Sequence, residues 1–105
     1  MYFGKQEARM KTREEILAGL ASAKAELQNR FRVRSLALFG SYARNQQTEK
    51  SDVDVLIEVD PSIGLGFVSL AEELERRLQQ RVDLVSSRAV KPSRRRLIES
   101  DLIYV

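Results

Sequence analysis

The chain has no cysteine and no histidine. The first absence excludes disulfides and thiolate metal sites. The second excludes imidazole bases, His-ligated zinc and the Ser-His-Asp triad. Long apolar runs are missing as well. No stretch reaches the ~18 apolar residues that would read as a membrane span. The segment from Met1 to Arg13 carries charges but no apolar stretch follows it, so it is not a secretory signal. With these absences the cytoplasm is the expected location, and no membrane association is expected. Any catalysis must then run on carboxylates, hydroxyls, lysine, arginine and a metal. Hard oxygen ligands favour Mg²⁺ or Mn²⁺.

What remains is an ordinary soluble composition. The 105 residues are 43% hydrophobic and 31% charged. One domain with one modest core is expected at that length. The formal net charge of +3 is mildly basic and by itself selects no partner.

The first eleven residues show no clear periodicity and read as a leader, with Met10 as a second candidate start. Residues 12–105 form the expected domain. Thr12 and Glu15 make a capping box, and Ile16, Leu20, Ala23 and Leu27 follow at helical spacing. A helix over 12–30 is predicted. A strand follows over 33–39, then a short helix from Ser41 to about Arg44–Asn45. Asn45 tolerates the left-handed backbone that ends a helix. A second strand covers 52–59 and Asp60-Pro61 breaks it. Phe67, Leu70, Leu74 and Leu78 mark a helix over 67–80. A third strand covers 81–85. This strand–helix–strand unit permits parallel pairing of the second and third strands. Pro92 suits the first turn of a last helix, 93–100, and 101–105 could add a short strand. The fold class is α/β (α+β) with a small mixed sheet.

The stretch from Phe39 to Val55 organises the rest. An apolar run, Leu36 to Phe39, stops at Gly40-Ser41. After a polar loop, Asp52-Val53-Asp54 opens a second apolar run. Acids two residues apart on a strand point the same way, while Val53 points into the core. Gly-Ser after a buried strand offers bare backbone N–H groups and a hydroxyl. Asp83, alone among apolar residues on the third strand, must face water or a cation, because burying an unpaired carboxylate is costly. With suitable register it joins Asp52 and Asp54. A divalent cation would relieve their repulsion, and nucleotide phosphates would complete its coordination. Metal-assisted phosphoryl or nucleotidyl transfer is the chemistry suggested. In that scheme Asp52, Asp54 and Asp83 hold metal, and Asp83 helps take a proton. Gly40 and Ser41 bind terminal phosphates, and Arg44, one turn later, adds charge.

Each feature alone has a plainer reading. Gly-Ser after a strand is usually a turn, and Asp-x-Asp is often a solvated edge. Arg94-Arg95-Arg96 reads as the solvated face of a short helix rather than a nucleic-acid contact. Tyr42 and Tyr104 read as packing residues. Glu72-Glu73 and Arg76-Arg77 read as exposed helix charges. Asp83 alone reads as a surface residue, and it is the order of Gly40-Ser41, Asp52-x-Asp54 and Asp83 that makes those three features support one another.

Gly40-Ser41, ten intervening residues and Asp52-Val53-Asp54 together resemble the signature of the minimal nucleotidyltransferases of the polymerase-beta superfamily. Leu38-Phe39-Gly40-Ser41-Tyr42-Ala43-Arg44 and Ser51-Asp52-Val53-Asp54-Val55-Leu56-Ile57 look like that family's two strand ends. These MNT domains are the antitoxin partners of HEPN-domain toxins. The resemblance covers nearly the whole of 12–105. It implies a nucleotidyltransferase core with helices chiefly on one face of the sheet. It matches Asp52, Asp54 and Asp83 to the three metal-binding acids and Gly40-Ser41 to the phosphate site. It implies transfer of AMP from ATP to a hydroxyl, usually a tyrosine, of a HEPN toxin. Asn45 stands where such loops commonly have glycine, a change the backbone tolerates. A core this small is expected to use an acceptor held by a second protein or subunit. Two other readings stay open. One is a non-catalytic antitoxin that masks its partner by contact. The other is a small-molecule nucleotidyltransferase that borrows a substrate domain.

Overall fold

A computed structural model describes residues 10–105. Residues 1–9 of the expected leader lie outside the described residues. Helix α1 (Arg13–Phe31) starts at the capping box foreseen from the sequence. The Glu15 N–H donates to Thr12 Oγ1 at 3.1 Å, and the Thr12 N–H donates to Glu15 Oε1 at 2.9 Å. Two orphan donors of the first turn are thereby satisfied. Ile16, Leu20, Ala23 and Leu27 are fully buried along one stripe. Arg32, with φ of 57°, turns the chain out of the helix.

Strand β1 (Val33–Phe39) follows and ends in the four-residue helix α2 (Gly40–Ala43). Strand β2 (Val53–Val59) starts one residue later than its apolar pattern suggested, so Asp52 stands at its lip. A single turn at Pro61–Ile63 leads into α3 (Gly66–Leu78). Strand β3 (Val82–Ser86), helix α4 (Pro92–Glu99) and the two-residue strand β4 (Ile103–Tyr104) complete the order. Pro92 occupies the first turn of α4, where its missing N–H costs nothing.

The sheet runs β3-β2-β1-β4. β1 is antiparallel to both β2 and β4, whereas β2 and β3 are parallel and joined through α3. Strand alternation then sorts the side chains. Leu36, Leu38, Val53, Val55, Ile57 and Val59 share one core with the apolar stripes of α1 and α3. Phe39 and Leu56 point the other way and meet Ile98 of α4 in a smaller cluster. Helices therefore cover chiefly one face, as expected of this architecture. Among the described residues no helix is long and apolar enough to cross a membrane.

Two surface assignments from the sequence need correction. Glu73 is not an exposed helix charge: it is only 6% exposed. It lies in the seam between α1 and α3, where the Arg77 Nε donates to it at 2.7 Å and Arg76 also pairs with it. Long arginine side chains folded over it and excluded water, which residue type alone does not reveal. Tyr104 is not a packing residue, because it is 60% exposed on the edge strand β4. Tyr42 does pack, fully buried.

Candidate active site

The register of three strands builds the site. Phe39 pairs with Asp54, and Asp54 pairs with Asp83. The two acids are thus direct neighbours on adjacent strands, ~4.8 Å apart in the pairing direction, with side chains on the same face. That face is the sparsely covered one. Asp52, just outside β2, makes an ion pair with Arg81 Nε at 3.1 Å. Both partners are largely exposed, so the pair is worth little and can be given up. The Val53 N–H donates to the Arg81 carbonyl at 2.8 Å and fixes the lip of the strand beside the start of β3.

Asp54 is the electrostatic centre. Partial burial pushes its carboxyl up to about 6, and the charges of Asp83 and Asp52 push the same way, against Arg94 and Arg44. A half-buried carboxylate facing two like charges is a group that a cation would stabilise. Among the described residues, no three acids stand close enough to form a ready-made metal cage. The structure brings Asp54 and Asp83 together and leaves Asp52 beside them, held by Arg81. All three donors are hard oxygens, and the chain has no histidine or cysteine to add a softer one. The set fits Mg²⁺ or Mn²⁺ in donor type.

The Gly40-Ser41 corner backs directly onto these acids. Gly40 has φ of +77°, which disfavours any side chain. A Cβ there would collide with the Asp54 carboxylate, reaching 2.9 Å from its Cγ. Glycine is therefore required twice over, by backbone and by space. The turn is closed behind the corner. The Arg44 N–H donates to the Gly40 carbonyl at 3.1 Å, and the Gln46 N–H to the Ser41 carbonyl at 2.8 Å. The N–H groups of the first turn lie outside the helical ladder and can serve a ligand. Tyr42 anchors the corner from below: its ring lies in the main core and its hydroxyl donates to Gln80 Oε1 at 3.3 Å. Asn45 takes the left-handed conformation expected of it, with φ of 61°.

Arg44 is engaged elsewhere. Its Nη1 meets Asp101 Oδ2 at 2.6 Å, and its Nε donates to Gln46 Oε1 at 3.1 Å. Its charge still acts on Asp54. Arg94, expected on a solvated helix face, is indeed exposed, but nothing in the sequence gave it a part in the site. The Arg94 charge also acts on Asp54, and its side chain lines a cleft of about 440 Å³ between β3 and α4. Its four-residue spacing from Ile98, the buried anchor of α4, puts both on one side of the helix, but that anchor is not recognisable from the sequence.

Comparison with known proteins identifies the family. The family model described as "Nucleotidyltransferase domain" matches residues 20–105. A "Putative protein adenylyltransferase" of Methanocaldococcus jannaschii is 44% identical over 91% of this chain and 100% of its own length. "Protein adenylyltransferase MntA" of Thermococcus cleftensis is 42% identical over 91% of this chain and 98% of its own. Among solved structures, a minimal nucleotidyltransferase superposes with a TM-score of 0.76 at 28% identity, covering 89% of this chain and 95% of that one. A toxin–antitoxin complex with AMP-PNP gives 0.65 at 23% identity, covering 90% and 72%. A tri-AMPylated Shewanella oneidensis HEPN toxin in complex with MNT antitoxin gives 0.61 at 22%, covering 86% and 70%. Sequence signature, strand register and both kinds of likeness converge: the chain belongs to the nucleotidyltransferase domain family, as a minimal nucleotidyltransferase.

Proposed function

We propose that this protein transfers AMP from ATP to a hydroxyl, most simply a tyrosine, of a HEPN-domain toxin, and silences the toxin as its antitoxin. The observation that carries this reading is the contact between Gly40 and the Asp54 carboxylate, with Asp83 registered beside it. A phosphate-binding corner and a carboxylate pair then share one wall. The adenylyltransferase names of the 42–44% identical relatives support AMP as the transferred group. The complexes of MNT antitoxins with HEPN toxins support the class of partner.

In this reading Asp52, Asp54 and Asp83 would hold Mg²⁺ or Mn²⁺. When bound, the metal supplies charge neutralisation for the triphosphate and a more acidic acceptor hydroxyl. The chain's own groups do the rest. Backbone N–H groups at Gly40-Ser41 and the Ser41 hydroxyl hold the terminal phosphates, and Arg44 adds positive charge. Asp83 accepts the acceptor's proton. The hydroxyl oxygen bonds the α-phosphorus, the α–β bridging P–O bond breaks, and pyrophosphate leaves.

The test is direct. The chain, labelled ATP, Mg²⁺ and the co-encoded HEPN protein are incubated together. Label is expected on the HEPN protein, absent with Asp52→Ala/Asp54→Ala or with a chelator. Wild-type labelling no higher than that of the double variant would reject the reading. Neutralisation of the toxin by the double variant would instead establish the contact-only antitoxin. Transfer to an added small hydroxylated molecule and not to protein would establish the small-molecule enzyme.

A further inference from the structure

The strand that carries Asp83 has an open edge. β3 is outermost in the sheet, and its pairing fixes which of its backbone groups point outward. The Val53 N–H donates to the Arg81 carbonyl and the Ser87 N–H to the Ile57 carbonyl, both at 2.8 Å. In a parallel ladder alternate residues serve the same neighbour. Arg81, Asp83, Val85 and Ser87 therefore turn their backbone groups to β2, and Val82, Leu84 and Ser86 turn theirs away. The Val82 N–H donates to Glu75 Oε2 at 3.0 Å, and the Ser86 carbonyl accepts from the Ala89 N–H at 3.0 Å. The Leu84 N–H and carbonyl, the Ser86 N–H and the Val82 carbonyl have no protein partner among the described residues.

The cleft of about 440 Å³ follows this free stretch. Leu84, Val85 and Ser86 line its floor, Phe67 of α3 stands on one side, and Lys91 and Arg94, at the start of α4, stand on the other. Among the described residues no acid lines it. An unpaired strand edge in a groove is the form that accepts an extended peptide as an added strand. The edge also lies where the acceptor must come from. In the proposed function pyrophosphate leaves toward Gly40-Ser41, after β1, so in-line attack approaches from the opposite side, past Asp83. A residue added opposite Asp83 stands ~4.8 Å from it, with its side chain on the face of Asp54 and Asp83. A second copy of this chain suits the edge less well. Two such edges paired about a two-fold axis would crowd two sets of these cations together.

We propose that the acceptor protein presents its tyrosine on an extended segment that adds to the free edge of β3, with the tyrosine opposite Asp83 and acidic side chains toward Lys91 and Arg94. The inference rests on the proposed function and adds the mode of acceptor recognition. Backbone hydrogen bonds at Leu84 and Ser86 hold the segment, and its alternate side chains enter the cleft. The acceptor is thereby read by a strand outside the signature motif.

The test reads the edge directly. Hydrogen exchange at the Leu84 and Ser86 amides is measured on the whole chain with Mg²⁺–AMP-PNP, alone and with the HEPN protein of the labelling test. Both amides should exchange on the order of tenfold more slowly in the complex. Ser86→Pro removes one outward N–H and no bond to β2, a change that an edge strand tolerates. Ser86→Ala keeps that N–H and serves as the control. Ala89 is exposed and lines the cleft, so Ala89→Glu adds a negative charge there and Ala89→Gln adds only the bulk. The KM for the HEPN protein should rise about tenfold in Ser86→Pro. It should rise more in Ala89→Glu than in Ala89→Gln and stay unchanged in Ser86→Ala. AMP-PNP affinity should match wild type throughout. If Ser86→Pro does not fold, the exchange data and the Ala89 pair decide. Unprotected amides in a formed complex overturn the inference, as does an unchanged KM in Ser86→Pro and Ala89→Glu. So does a matching loss of AMP-PNP affinity, since the edge would then serve the donor. Protection that grows with the concentration of this chain alone also overturns it, since a second copy would then cover the edge. In each of these cases labelling by the wild type keeps the proposed function standing. A wild type that labels no protein removes both.

Discussion

The two faces of the sheet do different work. One packs Leu36, Leu38, Val53, Val55 and Ile57 against α1 and α3 and excludes water from all of them. The other carries Asp54 and Asp83 and, among the described residues, is covered chiefly by α4, through Ile98 against Phe39 and Leu56. The first face is where apolar burial accumulates. The second holds a carboxylate that burial and like charges make unfavourable. Stability and chemistry are thus separated by the two-residue period of the strands, and alternate residues of β2 serve opposite ends.

Paired substitutions should break this comparison most sharply. Leu20→Ala, under the covered face, should cost ~2–5 kcal/mol in a denaturant titration. Asp54→Asn, on the open face, should abolish AMP transfer yet raise stability. The sign follows from linkage. The folded carboxyl sits at about 6, above its ordinary value of 3.8. Ionised Asp54 therefore costs stability once the pH exceeds the folded value, and costs nothing below the unfolded one. The gain from Asp54→Asn should appear as pH rises through that window and level off above it. It should be ~1 kcal/mol, the pKa shift being discounted because water screens a half-exposed group. A metal-free melting curve above neutrality that shows Asp54→Asn less stable than wild type would contradict the assignment.

Gly40 is where the two faces meet, so its replacement should damage both. Gly40→Ala demands a left-handed alanine, a strain of ~1–3 kcal/mol. It also drives a methyl group into the Asp54 carboxylate. Loss of transfer with a lowered melting temperature is the expected pair of results. Wild-type melting with lost transfer would mean that the corner relaxes without strain.

How much of this the sequence showed depended on how local the cause was. The capping box at Thr12, the stripe from Ile16 to Leu27 and the span of β1 were legible because each depends on residues within a few positions. The neighbouring placement of Asp54 and Asp83 was a conditional expectation: their spacing permitted a parallel pair, but register comes from the packing of α3. Arg44 was expected at the phosphates, yet Asp101, 57 residues away, engages it. Nothing local to Arg44 announces that partner. Arg94 was hidden for the opposite reason. Three adjacent arginines look alike in sequence, and only the folded chain shows that the charge of Arg94 reaches Asp54.

Glu73 supplies the finest distinction between the faces, because it is a charge on the covered side. The hydrogen bond from Arg77 is the main cause that holds its carboxyl below the ordinary 4.5, against burial, and Arg76 adds to it. Arg30 approaches at 3.7 Å from α1, and Arg77 also pairs with Glu26. The charge network therefore ties α1 to α3 above the main core. A carboxylate whose folded value is lowered contributes stability above its unfolded value and loses it as pH falls through the folded one. Glu73→Gln should therefore melt below wild type at about pH 7, with the gap closing as the pH falls below the ordinary carboxylate range. The arginines are partly exposed, so this effect should be the smallest of the set. Glu72→Gln, one residue away and exposed, serves as the control. Equal curves for the two variants would mean that burial of Glu73 contributes nothing, and that only the apolar stripes join α1 to α3.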